Sequence, residues 1–328
     1  MRAHLLGGVP GAEIEAKREL FASHGFDPLS VFMDNNGAYL HFRPDFARRE
    51  TLRTHIEADA GVQAKENDLR TRFQQWWDEH HMPIVALPQT KALMTLRAEL
   101  LESFQSALSP ALLLDRFKVA GVIASWWDAN KYNLKTLAAN GWSELLDGWI
   151  ANATGDEADT SATGGIDRDR LLHALAPKAM QQLEALEEQK AEVEAALAEL
   201  EGDPESEDEN AALFESEQNA AKVKVLKKKL GDLKKQHKTA QAQALSSLSA
   251  TAKAMSDEDR QALVLRFMRE DLEAALDRYV TAHRNHIVRA VENWHDKYHV
   301  SLRALERERS EAALKLNEFM RELGYARA

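Results

Sequence analysis

The sequence predicts an all-α protein, with at most a minor β-hairpin near the N-terminus. A helical domain is joined in it to a long antiparallel coiled-coil hairpin. Three observations carry this expectation. Apolar residues recur three and four positions apart over most of the chain, the period of a helix's buried stripe. Only 15 glycines and 8 prolines punctuate 328 residues. Alternating β-branched runs are nearly absent. The one plausible extended piece is Gly37-Ala38-Tyr39-Leu40-His41-Phe42, with Pro83-Ile84-Val85-Ala86-Leu87 as a second. Two such pieces could pair but could not organise a fold.

Residues 1–150 read as an N-terminal helical domain. Gly7, Gly8, Pro10 and Gly11 make a turn, and residues 13–22 a short helix. Asn35-Asn36-Gly37 is a turn signal. Residues 45–78 read as helix with interleaved charges, broken by Pro83 and Pro88, which lack the N–H a helix interior needs. A second strong helix starts at Gln89 or Thr90 and sets Leu93, Leu96, Leu100 and Phe104 on one face. At Ser109-Pro110 a serine cap and a proline at the first helical position restart the chain. Residues 112–150 are apolar, aromatic and tightly punctuated, so they should be buried, with Asn140-Gly141 as a helix C-terminal cap. Residues 151–165 are small, polar and glycine-rich, the composition of a flexible linker.

Residues 166–255 carry the hairpin. Leu183, Leu186, Val193, Leu197 and Leu200 follow a heptad, with Lys190 in the seam. Val223, Leu226, Leu230, Leu233, Ala240 and Ala244 repeat it, with His237 in the seam. Heptads bury such a seam against a second helix. Between them Gly202 and Pro204 forbid a continuous helix, so an acidic tip lies near residues 201–216. Antiparallel pairing sets Leu197 opposite Leu230, Val193 opposite Leu233, Leu186 opposite Ala240 and Lys190 opposite His237. Residues 256–328 form C-terminal helices packing on the hairpin base. Ser256-Asp257-Glu258-Asp259 starts the first of them, which runs, in one or two pieces, to about His295. The last, residues 301–323, lines Leu302, Leu305, Ala312, Leu316 and Phe319 on one face.

Charge and composition narrow the function. The net charge is −11, so the chain as a whole is not drawn onto DNA or an anionic membrane, and any such contact needs a local basic patch. The absence of cysteine removes disulfides, thiolate metal sites and cysteine nucleophiles together. No stretch approaches the ~18 consecutive apolar residues of a spanning helix, and the first residues lack the apolar run of a signal peptide. The chain therefore reads as cytoplasmic, with no membrane partner.

The basic patch is on the second hairpin helix: Lys227, Lys228, Lys229, Lys234, Lys235 and Lys238, preceded by Lys222 and Lys224. It could face a nucleic-acid backbone. It could equally pair with Glu184, Glu187, Glu188, Glu192, Glu194 and Glu199 of the first helix, which explains both helices at once. His283, His286, His295 and His299 have spacings that can ligate zinc on a helix, yet the glutamate of a zincin is missing and Trp294, Tyr298 and Val300 look like packing. His80-His81 point to different faces. Trp76-Trp77 and Trp126-Trp127 could stack bases; Trp126 and Trp127 read first as core, while the polar neighbours of Trp76-Trp77 leave that pair open. No Walker motif, Gly-x-Ser-x-Gly elbow or glycine-rich turn after a strand is present. The residues alone assign no catalytic, cofactor-binding or metal position.

Three blocks read together. The first, His4-Leu5-Leu6-Gly7-Gly8-Val9-Pro10, resembles a His-x-x-Gly-Gly-Ile-Pro stretch. The second runs from Asp115-Arg116-Phe117-Lys118-Val119-Ala120-Gly121-Val122-Ile123 through Trp126-Trp127 and Lys131-Tyr132-Asn133-Leu134-Lys135-Thr136-Leu137 to Gly141-Trp142. The third is Asp277-Arg278-Tyr279-Val280, Glu292-Asn293-Trp294, Lys297-Tyr298 and Leu323-Gly324-Tyr325. Their order and spacing resemble the region after the catalytic domain in one subgroup of methylation subunits of type I restriction–modification systems, and the hairpin between the second and third blocks fits.

The resemblance implies a family that methylates adenine at N6 with S-adenosylmethionine. Its subunits assemble with a specificity subunit that reads the DNA sequence, and in many systems with a restriction subunit. The family's S-adenosylmethionine and target-adenine motifs have no matching positions here, so no active-site residue is carried over. If the chain is a C-terminal portion, the chemistry lies in other sequence; if it is complete, it is a truncated or split relative. The expectation is a non-catalytic assembly and DNA-positioning region. Its alternatives are a free-standing coiled-coil scaffold or adaptor, and a histidine-based metalloenzyme.

Overall fold

The computed structural model describes residues 8–33, 39–155, 166–201, 209–300 and 302–323, with only the backbone at 201, 209–218 and 302–304. Among them are thirteen α-helices and one two-stranded antiparallel sheet. The sheet pairs β1 (Val9–Pro10) with β2 (Tyr39–Leu40), in the register Val9–Leu40 and Pro10–Tyr39. The helices are α1 (Gly11–Glu15), α2 (Arg18–Ser23), α3 (Arg49–Ala58), α4 (Ala60–His80), α5 (Met82–Val85), α6 (Leu87–Thr90), α7 (Leu93–Leu108), α8 (Arg116–Thr154), α9 (Arg168–Leu175), α10 (Pro177–Glu201), α11 (Glu209–Ala254), α12 (Asp257–Tyr298) and α13 (Leu302–Glu322). The all-α expectation holds.

The chain forms two compact units, each discontinuous in sequence. Unit 1 takes residues 1–84, 94–128 and 269–328, and unit 2 takes 85–93 and 129–268. The sequence reading drew consecutive segments instead: 1–150, 151–165, 166–255 and 256–328. Of the expected linker, 151–154 are the end of α8, and 156–165 lie outside the described residues. Of the expected acidic tip, 202–208 lie outside them, while 209–216 are already α11.

In unit 1, α12 supplies Ile287, Val288, Val291, Trp294 and Tyr298 to a core closed by Val9, Phe21, Phe32 and Ile56. Glycine permits the closest approach. A Cβ on Gly61 would sit 2.1 Å from the Gly25 carbonyl oxygen, and Gly25 itself has φ +72°, a left-handed value that costs a side chain dearly. A second apolar layer joins α4 to α7. There Trp76 meets Phe104 edge to face at 4.9 Å and donates its indole N–H to Ser103 Oγ at 3.0 Å.

In unit 2, the last part of α8 breaks at Gly141, with φ +86° and ψ −174°. Only glycine adopts such angles without strain. Beyond the break Trp149 returns to Asn133, donating Nε1–H at 3.0 Å to a buried amide. The expected cap at Asn140-Gly141 is therefore the point where one helix stops and another begins. α9 packs on both α10 and α11 at the base of the hairpin.

Several local expectations are corrected. Residues 83–85 and 87 are helical, in α5 and α6, with Ala86 as the turn between them. Their prolines sit in or beside first turns, where a missing N–H costs nothing. Residues 45–78 open in a 3₁₀ turn and hold two α-helices, α3 and most of α4, because the Asp59 side chain caps α4 by accepting from the N–H groups of Gly61 and Val62. Residues 109–111 form only a 3₁₀ turn, and α8 starts later, where Asp115 Oδ1 accepts from the N–H groups of Phe117 and Lys118. The helix after Ser256 is one continuous element, 257–298. Every described side chain of α13, from 305 to 322, is exposed.

Candidate functional site

The hairpin seam is built as its heptads require. Val193, Leu197 and Leu233 form a buried cluster, flanked by Leu186, Val223, Leu226 and Leu230. Cross-helix pairs fix the direction. Glu194 reaches Lys234 at 3.8 Å, and Glu187 reaches His237 at 3.1 Å. Residue numbers fall along α10 as they rise along α11, so the pair is antiparallel. Glu194 and Lys234 are the sequence neighbours of Val193 and Leu233, which the expected register sets opposite each other. His237 bonds Glu187, one turn from its expected level at Lys190.

The seam decides where the lysines point. With Leu226, Leu233 and Ala240 facing α10, Lys228 and Lys235 fall on the outermost heptad position and Lys238 on an outer one, while Lys227, Lys229 and Lys234 flank the seam. All six are exposed. Lys234 takes the flank partner Glu194. Lys228, Lys229, Lys235 and Lys238 have no carboxylate within 4 Å among the described residues. Pairing with the first helix thus reaches the flank and does not reach the outer face. From Lys228 to Lys238 this face spans about 15 Å of helix.

The histidines do not converge. His283 Nε2 lies 3.0 Å from Ser23 Oγ, His295 Nε2 lies 3.1 Å from the Phe46 carbonyl oxygen, and His299 stacks on His295 at 4.0 Å with its Nδ1 on the His295 carbonyl oxygen. His286 is exposed. Among the described residues no group of three potential ligands could hold a metal ion. His81 Nδ1 bonds the Trp77 carbonyl oxygen and stacks on that indole, and His80 lies against Trp76. Trp76, Trp77 and Trp126 are buried, which removes them as base-stacking platforms; Trp127 is half-buried.

Sequence reasoning missed one polar centre, in unit 1. Glu66, 5% exposed, accepts from His24 Nε2 at 2.9 Å and from Arg284 Nη1 at 2.8 and 2.9 Å. Burial alone would raise the Glu66 carboxyl pKa, but His24 and Arg284 outweigh it and hold it below the usual value. The His24 ring lies 5.2 Å from that of His283. Burial, then the neighbouring His24, lowers His283 to about 4. The signal was available: Glu66 occupies the stripe of Val62, Leu69 and Phe73, where helical spacing asks for an apolar residue. Its partners are 42 and 218 residues away and leave no local trace.

No family model, curated protein or solved structure matches the chain. No described helix is long and apolar enough to cross a membrane.

Proposed function

We propose that this chain is a non-catalytic assembly and DNA-positioning region of an N6-adenine DNA methyltransferase subunit of a type I restriction–modification system. The observation that carries the reading is the hairpin's outer face, where Lys228, Lys235 and Lys238 stand in solvent without carboxylate partners among the described residues. Ammonium groups so placed neutralise phosphates and position a duplex; they carry no base readout. The hairpin is also a surface suited to partner helices, here those of the specificity subunit, with the restriction subunit as a further partner.

The resemblance supplies the family, and the geometry supports it in one respect. Its blocks meet as packing: Val9 shares a core with Trp294 and Tyr298. A Cβ on Gly121 would meet the Tyr279 hydroxyl oxygen at 2.7 Å. On this reading S-adenosylmethionine and the target base are handled by other sequence, in the cytoplasm.

The test is capture from the source cell's lysate with the full chain as bait, partners being identified by mass spectrometry. Recovery of a DNA specificity subunit is expected. Unrelated proteins, or nothing above background, would overturn the assembly reading in favour of a free-standing scaffold. In the recovered complex, Lys228→Glu, Lys235→Glu and Lys238→Glu together should weaken cognate and non-cognate DNA alike, and lower the slope of log affinity against log salt by about 2–3.

A further inference from the structure

We propose that α13 pairs antiparallel with α13 of a second copy of this chain. The helix is 21 residues long, and its apolar side chains are bare: Leu305 is 50% exposed, Leu316 62%, Phe319 61% and Leu323 70%. With Arg309 and Ala312 they fall three and four apart without interruption, which is a coiled-coil seam. A lone helix of this length gains little from its own hydrogen bonds, and a stripe of this kind marks an interaction surface.

Charge and size select the occupant. A parallel pair in register sets Arg309 against Arg309 in the seam. An antiparallel pair with Arg309 opposite Phe319 sets Lys315 against Lys315 and Glu308 against Glu322. One long register avoids both conflicts. It sets Leu305 opposite Leu316, the large Arg309 opposite the small Ala312, and Phe319 opposite residue 302. Its flanks then bring Glu308 beside Lys315 of the other copy, twice by symmetry, as an isologous contact requires. Glu308 and Lys315 have no ion-pair partner among the described residues. Arg307 pairs within its own helix with Glu311 at 3.9 Å, away from the seam. The helix is thus complementary to itself. The surface is separate from the lysine face of α11, so this inference does not rest on the DNA reading.

The test is sedimentation equilibrium of the purified full chain between micromolar and about 100 µM, the range for a short two-stranded contact. A monomer–dimer equilibrium is expected, and Leu316→Glu should abolish it. The side chain is exposed, so circular dichroism should show an unchanged fold. Glu308→Lys alone and Lys315→Glu alone should each weaken dimerisation about tenfold, by making two like-charge contacts. The double exchange should restore it, because only the antiparallel register opposes these positions. A chain that stays monomeric throughout, a dimer indifferent to Leu316→Glu, or a double exchange that fails to restore would each overturn the proposal.

Discussion

A carboxylate set among leucines stays ionised only where cations reach it. Glu66 meets this condition through Arg284, in direct contact, with Arg70 at 3.6 Å, and His24 adds a hydrogen bond. Arg284→Met should therefore destabilise unit 1 by about 3 kcal/mol, because it leaves the charge half-paired rather than absent. Glu66→Gln with Arg284→Met should cost less than the two single changes summed, and a double-mutant cycle in urea reads the difference. His283 sets a pH dependence. Its folded value of about 4 lies below the ordinary 6.5, so the unfolded chain takes up a proton that the folded chain refuses. Stability is then fully present above pH 6.5 and is lost as pH falls towards 4, by up to about 3 kcal/mol. Below that, protonation of Glu66 removes more. Urea midpoints across this range should fall steeply for the native chain and more shallowly for His283→Gln. An unchanged slope would show that another group controls the acid limb.

Helix ends show which local signals were legible. Ser256 behaves as its sequence promises: its Oγ accepts from the Asp259 N–H at 3.1 Å and donates to the Asp259 carboxylate at 2.8 Å. Gly141 was legible as a stop because Asn-Gly is a helix C-cap signal, and the glycine takes φ +86°. Ser109-Pro110 misled. Leu112 turns left-handed at φ +59°, a conformation no leucine advertises, and hands the cap to Asp115. Two glycines make the distinction measurable, since neither has atoms within 4 Å of an added Cβ. Gly231 is inside α11, so Gly231→Ala should stabilise the chain by about 0.5–1 kcal/mol. Gly141→Ala meets the same open space with forbidden angles and should cost about 1–3 kcal/mol. Thermal melts shifted in the same direction by both changes would refute the backbone account of the break.

The scale at which sequence reasoning loses its grip is the whole chain. Periodicity identifies α13 as amphipathic, but it cannot say what covers it. Leu302, Leu305, Leu316 and Phe319 read like any packed stripe, and only the fold reveals that the side chains of 305–322 are exposed among the described residues. It is likewise silent on interleaving, in which α8 and α12 each give residues to both units. Truncation separates these cases. A chain ending at Val300 loses only exposed side chains among those described, so its melting temperature at low concentration should stay within about 2 °C of the full chain. A chain ending at His286 loses Ile287, Val288, Ala290, Val291, Trp294 and Tyr298, six core residues of unit 1, five of them large. At roughly 2–5 kcal/mol for each large side chain removed, that matches or exceeds the about 5–15 kcal/mol that holds a domain together. Limited proteolysis followed by mass spectrometry should then find early cuts within residues 9–33 and 39–62 that are absent from both longer chains. Meanwhile α10 and α11 keep their own seam and should remain resistant. Equal protection of residues 9–33 and 39–62 in all three chains would mean that α12 is not the element on which that core closes.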